Sequence, residues 1–141
     1  LWGDEGGPPS VRVTLRSLVS RLRRALGPAG GCLAARGGGY VLKVDRAAVD
    51  AVRFERALAW GRDRLAAGHA TDAVDTLRDA LALWRGPAHA ELDGHGFARP
   101  SAHRLEEARL AAVEDLVDAE LRAGLTADAL ARAEGQVAAQ P

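Results

Sequence analysis

What this 141-residue sequence has little of narrows the field first. Methionine is absent and cysteine occurs once, at Cys32, so no internal disulfide can form. A reducing compartment, the cytoplasm, is therefore the expected location. Aromatic residues make up 4% of the chain, so its elements must pack through small side chains. No stretch reaches the roughly 18 unbroken apolar residues of a membrane span, and no membrane association is expected. Catalytic signatures are missing too. There is no Gly-x-Ser-x-Gly elbow. Arg36-Gly37-Gly38-Gly39 lacks the further Gly, the Lys-Ser/Thr pair and the following helix of a phosphate cradle. His69, His89, His95 and His103 are scattered, without the tight spacing and Cys or acidic partners of a zinc site. Neither enzyme chemistry, nor a cofactor, nor a metal is expected.

Helix-favouring composition is what is present: 48% of residues are hydrophobic, 27% are charged, and alanine, the best helix former, is abundant. The net charge of zero conceals a segregation. Residues 1–46 hold eight basic against three acidic side chains, a net of +5, and residues 47–141 hold eleven against sixteen, a net of −5. A basic head on an acidic body suggests that the head binds an anion. Leu1-Trp2-Gly3 and the terminal Pro141 read as interior sequence, so the chain is expected to be part of a longer protein.

Residues 3–10 read as a loop, and Ser10 as the N-cap of a helix running to about Leu26, stopped by Gly27-Pro28. At 100° per residue, Leu15, Leu18, Val19, Leu22 and Leu26 share one narrow stripe. Ser17, Ser20, Arg21 and Arg24 fall opposite, with Arg16 and Arg23 along a flank. Residues 28–31 read as loop. Cys32 to Ala35 and Tyr40 to Val44 then read as two strands of a hairpin whose tip is Arg36-Gly37-Gly38-Gly39.

After Asp45 the pattern becomes purely helical. Val52, Phe54, Leu58, Gly61 and Leu65 mark one helix. Val74, Leu77, Leu81 and Trp84 mark a second, with Thr71 expected as its N-cap and Gly86-Pro87 as its stop. A loop over about 85–97 precedes a long third helix over about 100–123. Its two apolar stripes, Leu105, Ala108, Ala112, Leu116 and Ala119, then Leu110, Val113, Val117 and Leu121, predict two buried faces and a central position. A fourth helix covers about 127–139. Trp60 and Trp84 are expected in the core, unless one of them rims a groove. The pairs Glu106-Glu107 and Glu114-Asp115 are expected on a solvated face. Gly68 stands five residues before Ala73 and twelve before Ala80, and Gly124 stands likewise before Ala129 and Gln136. This small-residue spacing is similar to a tetratricopeptide repeat, although the two units lie 56 residues apart rather than 34.

A helix that buries one stripe and presents Ser and Arg opposite suits the major groove of double-stranded DNA. A glycine-rich tip carrying Arg36 suits the backbone and the minor groove. The same features also describe a solvated amphipathic helix beside an ordinary turn; their succession at this spacing favours the DNA reading. The segment from Val13 through Arg16-Ser17 and Arg21-Leu22-Arg23-Arg24 to Leu26 resembles the recognition helix of OmpR/PhoB-type winged helices. Arg36-Gly37-Gly38-Gly39-Tyr40-Val41-Leu42 resembles their wing. Leu1-Trp2-Gly3-Asp4 with Pro8-Pro9-Ser10 resembles the loop entering this helix in SARP-type antibiotic regulatory activators. Phe54-Glu55-Arg56, Leu81-Ala82-Leu83-Trp84-Arg85-Gly86-Pro87-Ala88 and Arg104-Leu105-Glu106-Glu107 are similar to the bacterial transcriptional activator domain of that family.

The resemblance implies a mainly α chain: a partial winged helix (recognition helix and β-hairpin wing, residues 1–46) followed by a tetratricopeptide-like helical bundle (residues 47–141). It implies a sequence-specific transcriptional activator, regulating secondary-metabolite genes, that binds promoter direct repeats as a homodimer and contacts RNA polymerase. By position it assigns Ser17, Ser20, Arg21 and Arg24 to bases or phosphates, Arg12, Arg16 and Arg23 to the backbone, and Arg36 to the minor groove. The sheet and two helices that open the family's winged helix have no counterpart here, so the leucine stripe lacks most of its core. This chain alone is expected to bind DNA weakly, or without sequence specificity. The competing reading is a tetratricopeptide-like interaction module without DNA binding of its own, and a hydrolase within the loop at 85–100 is a distant third.

Overall fold

A computed structural model of the chain describes residues 10–92 and 94–139. The entry loop and Pro141 discussed above lie outside the described residues. Two compact units follow one another along the chain, one up to Asp45 and one from Arg46 onward.

In the first unit, helix α1 spans Ser10–Ala25. Gly27, at φ +54°, turns the chain out of the helix, and the stretch expected as loop winds instead into a 3-10 turn, Gly27–Cys32. Strands β1 (Leu33–Arg36) and β2 (Gly39–Leu42) pair antiparallel, with Leu33 opposite Leu42 and Arg36 opposite Gly39. The hairpin tip is tighter than expected. Only Gly37 and Gly38 form the turn, and both have positive φ (+55° and +79°), as a two-residue turn matched to strand twist requires. The ladder continues one bond further, from Lys43 N–H to the Cys32 carbonyl.

The second unit is a bundle of α2 (Asp50–Ala66), α3 (Ala70–Ala82), α4 (Arg99–Arg122) and α5 (Thr126–Ala139). Its core is built from Phe54, Leu58, Leu65, Ala73, Val74, Leu77, Ala80, Leu105, Ala112, Leu116 and Ala119. Small residues set the helix spacing. A Cβ added to Gly61 would stand 2.7 Å from the Leu77 Cγ, so α2 and α3 approach through a gap that only glycine leaves. The two glycine turns foreseen from spacing are the same device. Gly68 N–H donates to the Leu65 carbonyl and His69 N–H to Arg64; Gly124 N–H donates to Leu121 and Leu125 N–H to Glu120. Both glycines take φ near +80°, and both turns lead to a buried alanine, Ala73 or Ala129.

Three expectations are corrected. Helix α3 begins after His69, and Thr71 lies inside it, because the closing bonds of the glycine turn already orient the backbone. Helix α4 packs against α2, α3 and α5, but only its Leu105–Ala119 stripe is buried. On the other stripe Leu110 and Leu121 are exposed, Leu121 by 52%, and Val113 and Val117 are half-buried, so that side is only partly covered among the described residues. Trp60 is 56% exposed, with the Arg64 guanidinium 5.1 Å above its ring.

One residue that reads as surface lies at the centre. Glu120 has 0% exposure. Its Oε1 accepts from Arg78 Nη2 (2.8 Å) and Arg132 Nη2 (2.9 Å), and its Oε2 accepts from Arg132 Nε (3.1 Å). Arg78 also donates to Asp128 (2.7 Å), so one cluster joins α3, α4 and α5. Burial pushes the Glu120 carboxyl up, but the hydrogen bonds from Arg132 and Arg78 outweigh it and hold it below the usual value near 4.5.

Two expected outcomes follow. Gly61→Ala forces Leu77 to move and is expected to cost about 1–3 kcal/mol in chemical denaturation. Because the folded-state pKa of Glu120 is lowered, its contribution is present above pH 4.5 and lost as acid takes the pH through the folded value. Removing both guanidinium groups (Arg78→Met with Arg132→Met) leaves burial alone to act. Urea melts are expected to show about 3 kcal/mol lost at neutral pH, with part of it recovered on acidification. Asp118→Asn, at the exposed pair with Arg122, is the control and should change stability by under about 0.5 kcal/mol.

Candidate nucleic-acid interface

The described part of the first unit carries seven basic side chains, Arg12, Arg16, Arg21, Arg23, Arg24, Arg36 and Lys43, against one acidic residue, Asp45. Carboxylates are thus scarce around the guanidinium groups of the described residues. Arg12, Arg16, Ser17, Ser20, Arg21 and Arg24 are exposed along α1, and Arg36 is exposed beside the glycine turn. No ion pair engages these arginines among the described residues. Helical geometry sets Ser17, Ser20, Arg21 and Arg24 on one side, and Arg12, Arg16 and Arg23 along the adjoining edge.

Arg23 differs from the rest. It is half-buried, and its Nε and Nη2 donate to the Leu33 carbonyl at 2.9 and 2.6 Å. Its guanidinium lies 5.8 Å from the Tyr40 ring centroid. Arg23 thus ties the last turn of α1 to both strands of the hairpin, which fixes where Arg36 is carried relative to the helix. Of the residues singled out in the sequence, it is the one whose side chain is engaged inside the unit; a phosphate contact is left to its remaining nitrogen. Gly30 seats the same junction, because a Cβ there would stand 2.4 Å from the Arg23 carbonyl oxygen. The signal for both was available only as a hint: an arginine seven residues from Arg16 on the same edge, and a glycine pair before the first strand.

The opposite side of α1 is apolar and largely open. Val19 is buried and Leu15 half-buried, but Leu18, Leu22 and Leu26 are exposed, Leu22 by 52%. With Val19 the one buried residue of α1, a regular apolar face stays open among the described residues.

The residues set aside in the sequence belong to the second unit. His69, His89, His95 and His103 are all exposed, and no group of three metal-ligating side chains occurs among the described residues. Glu106 accepts from the Ala88 N–H and Asp115 from Arg62, so members of both acidic pairs are used in packing between elements. Among the described residues, no helix is long and apolar enough to cross a membrane.

Residues 49–141 match the model of the bacterial transcriptional activator domain. Over its whole length the chain is 37% identical to the transcriptional regulator RedD of Streptomyces coelicolor and 32% identical to the regulatory protein DnrI of Streptomyces peucetius, covering 41% and 55% of those proteins. It is 34% identical to the transcriptional regulatory protein EmbR of Mycobacterium tuberculosis, over 95% of this chain and 35% of that protein. The chain therefore spans between about a third and just over half the length of these three relatives.

The division of labour among the arginines is measurable by hydrogen exchange. Arg23→Met removes two charge-assisted hydrogen bonds, so the Lys43 amide is expected to exchange at least tenfold faster. Arg16→Met, two turns earlier on the same edge, is expected to leave it within about twofold. Equal effects from the two substitutions would contradict the tether.

Proposed function

Because this chain belongs to the bacterial transcriptional activator domain family, whose SARP-type members regulate transcription rather than catalyse reactions, we propose that α1 and the β1–β2 hairpin are the recognition helix and wing of an OmpR/PhoB-type winged helix. The observation that carries this reading is the row of exposed cations on one side of α1, with no ion pair among the described residues, beside the exposed leucines of the other. The cations suit the phosphate-lined major groove, and the leucines suit the rest of a winged-helix core.

In this reading Arg21 and Arg24, with Ser17 and Ser20, meet base edges and phosphates, where an arginine can bond bidentately to guanine. Arg12 and Arg16 run along the backbone and Arg23 holds the wing. Arg36 enters the minor groove, where Gly37 and Gly38 let the turn lie close against the phosphate wall. The parent protein binds promoter direct repeats as a homodimer, contacts RNA polymerase and activates secondary-metabolite genes. The helical bundle supplies partner or regulatory contacts.

The leucine face sets the affinity of this chain by itself. With Leu18, Leu22 and Leu26 in water, α1 is held in the first unit chiefly by Val19 and the Arg23 tether, so its side chains are poorly preorganised for a groove. Band shifts on promoter repeats are expected to show weak binding by these 141 residues and tight, sequence-specific binding by the parent. In the parent, Arg21→Ala should relax sequence preference by about 1–3 kcal/mol at one base position. Arg36→Ala should weaken all sequences alike and make the salt dependence shallower by about one unit of slope. Tight, specific binding by the chain alone, or unchanged preference in Arg21→Ala, refutes the assignment.

A further inference from the structure

Trp60 is an indole 56% exposed on a helix whose Phe54, Leu58 and Leu65 are buried. It is held in that position, since the Arg64 guanidinium lies 5.1 Å from its ring centroid. Arg53, Arg56, Trp60 and Arg64 follow one another at helical spacing and share one side of α2. Asp63 borders the row. That side is turned away from α4, which Glu55 and Arg62 reach by pairing with Arg104 and Asp115.

The neighbouring helix carries the opposite charge in the same form. Asp72, Asp75 and Asp79 share one side of α3, and all three are exposed. The two rows meet at the glycine turn, where Arg64 Nη1 lies 3.8 Å from Asp72 Oδ2. From there α2 and α3 run as antiparallel neighbours, brought close by Gly61 against Leu77, so a guanidinium row lies beside a carboxylate row. Yet among the described residues no ion pair engages Arg53, Arg56, Asp75 or Asp79.

A polyanion such as DNA is attracted by the first row and repelled by the second, and a polycation the reverse. A face with both signs in adjacent rows is complementary to the same face turned over. We propose that this α2–α3 face docks a second copy of this chain about a two-fold axis, with Arg53 and Arg56 of each copy against Asp75 and Asp79 of the other and the Trp60 indoles covered between them. A two-fold contact uses every pairing twice and closes on itself. Exposed tryptophan and arginine are the side chains that contribute most at such contacts. The surface lies wholly within the second unit. It gives the homodimer proposed above a contact that needs no DNA, and it does not depend on the recognition-helix reading.

The test follows the whole 141-residue chain, labelled with 15N-tryptophan, by NMR and by sedimentation equilibrium in the absence of DNA. Trp60→Phe assigns the indole resonance. Raising the protein concentration at low salt is expected to move the Trp60 N–H signal to a plateau while the mass approaches that of a dimer, and high salt should reverse both. Arg53→Glu with Arg56→Glu, and separately Asp75→Lys with Asp79→Lys, should each weaken pairing by about tenfold or more, because like charges then face one another. Mixing the two variants should restore it, since each meets the opposite sign on the other; a chain that had lost its fold could give no such rescue. A Trp60 signal indifferent to protein concentration overturns the proposal, even if the mass doubles through another surface. So does a mixture that pairs no more tightly than its separate components. Movement of the Trp60 signal on adding a DNA duplex, with none on concentrating the protein, would assign the face to DNA and overturn it equally.

Discussion

The second unit depends on keeping one charge in a place without water. Glu120 has no exposed surface, and an isolated carboxylate there would take up a proton rather than stay ionised. Arg78 and Arg132 prevent this by filling its acceptor sites from α3 and α5. The geometry of three helices is constrained by that requirement, since moving any of them lengthens a bond to an ion that has no alternative partner. Apolar packing brings the helices together, and the ionic cluster specifies which of the available arrangements they adopt.

Arginine accordingly plays two opposed parts. Arg78 and Arg132 in the bundle, and Arg23 in the first unit, have turned inward to a carboxylate or a carbonyl and act as struts. Among the described residues Arg12, Arg16, Arg21, Arg24 and Arg36 show no such partner, and all five are exposed. The chemical group is the same, and the difference lies in what the neighbouring backbone offers. Where a carbonyl at a strand start or a buried acid lies within reach, the guanidinium is consumed. Where neither lies within reach among the described residues, it remains exposed to an outside anion.

Much of this was legible in the sequence, because apolar spacing reports helices directly. The helices, the hairpin and the paired glycine turns all follow from periodicity and from glycine's access to positive φ. What escaped depends on contacts between elements distant in sequence. Arg23 shares an edge with Arg16, and only the hairpin folding back separates them. Glu120 continues the line of Ala112, Leu116 and Ala119, so its position was visible, but a charged residue in that line reads as an interruption until its two cationic partners are known. The exposure of Leu121 and of Trp60 has the same origin: periodicity shows that a face is apolar without showing whether anything covers it. The residues assigned to DNA contact are exposed on α1 and beside the glycine turn, apart from the half-buried Arg23, which is anchored to the Leu33 carbonyl.

The repeated glycine turn has a consequence for how the bundle comes apart. A stack of helical pairs joined by equivalent turns behaves as a nearly one-dimensional chain, in which stability is a sum of nearest-neighbour terms. A helix that packs chiefly on one neighbour ordinarily opens first. Here α5 packs chiefly on α4, yet Arg78 reaches past α4's Glu120 to Asp128 on α5. That second-neighbour bond adds a longer-range coupling to the series. It makes opening of the final helix cooperative with the interior instead of a separate fraying event.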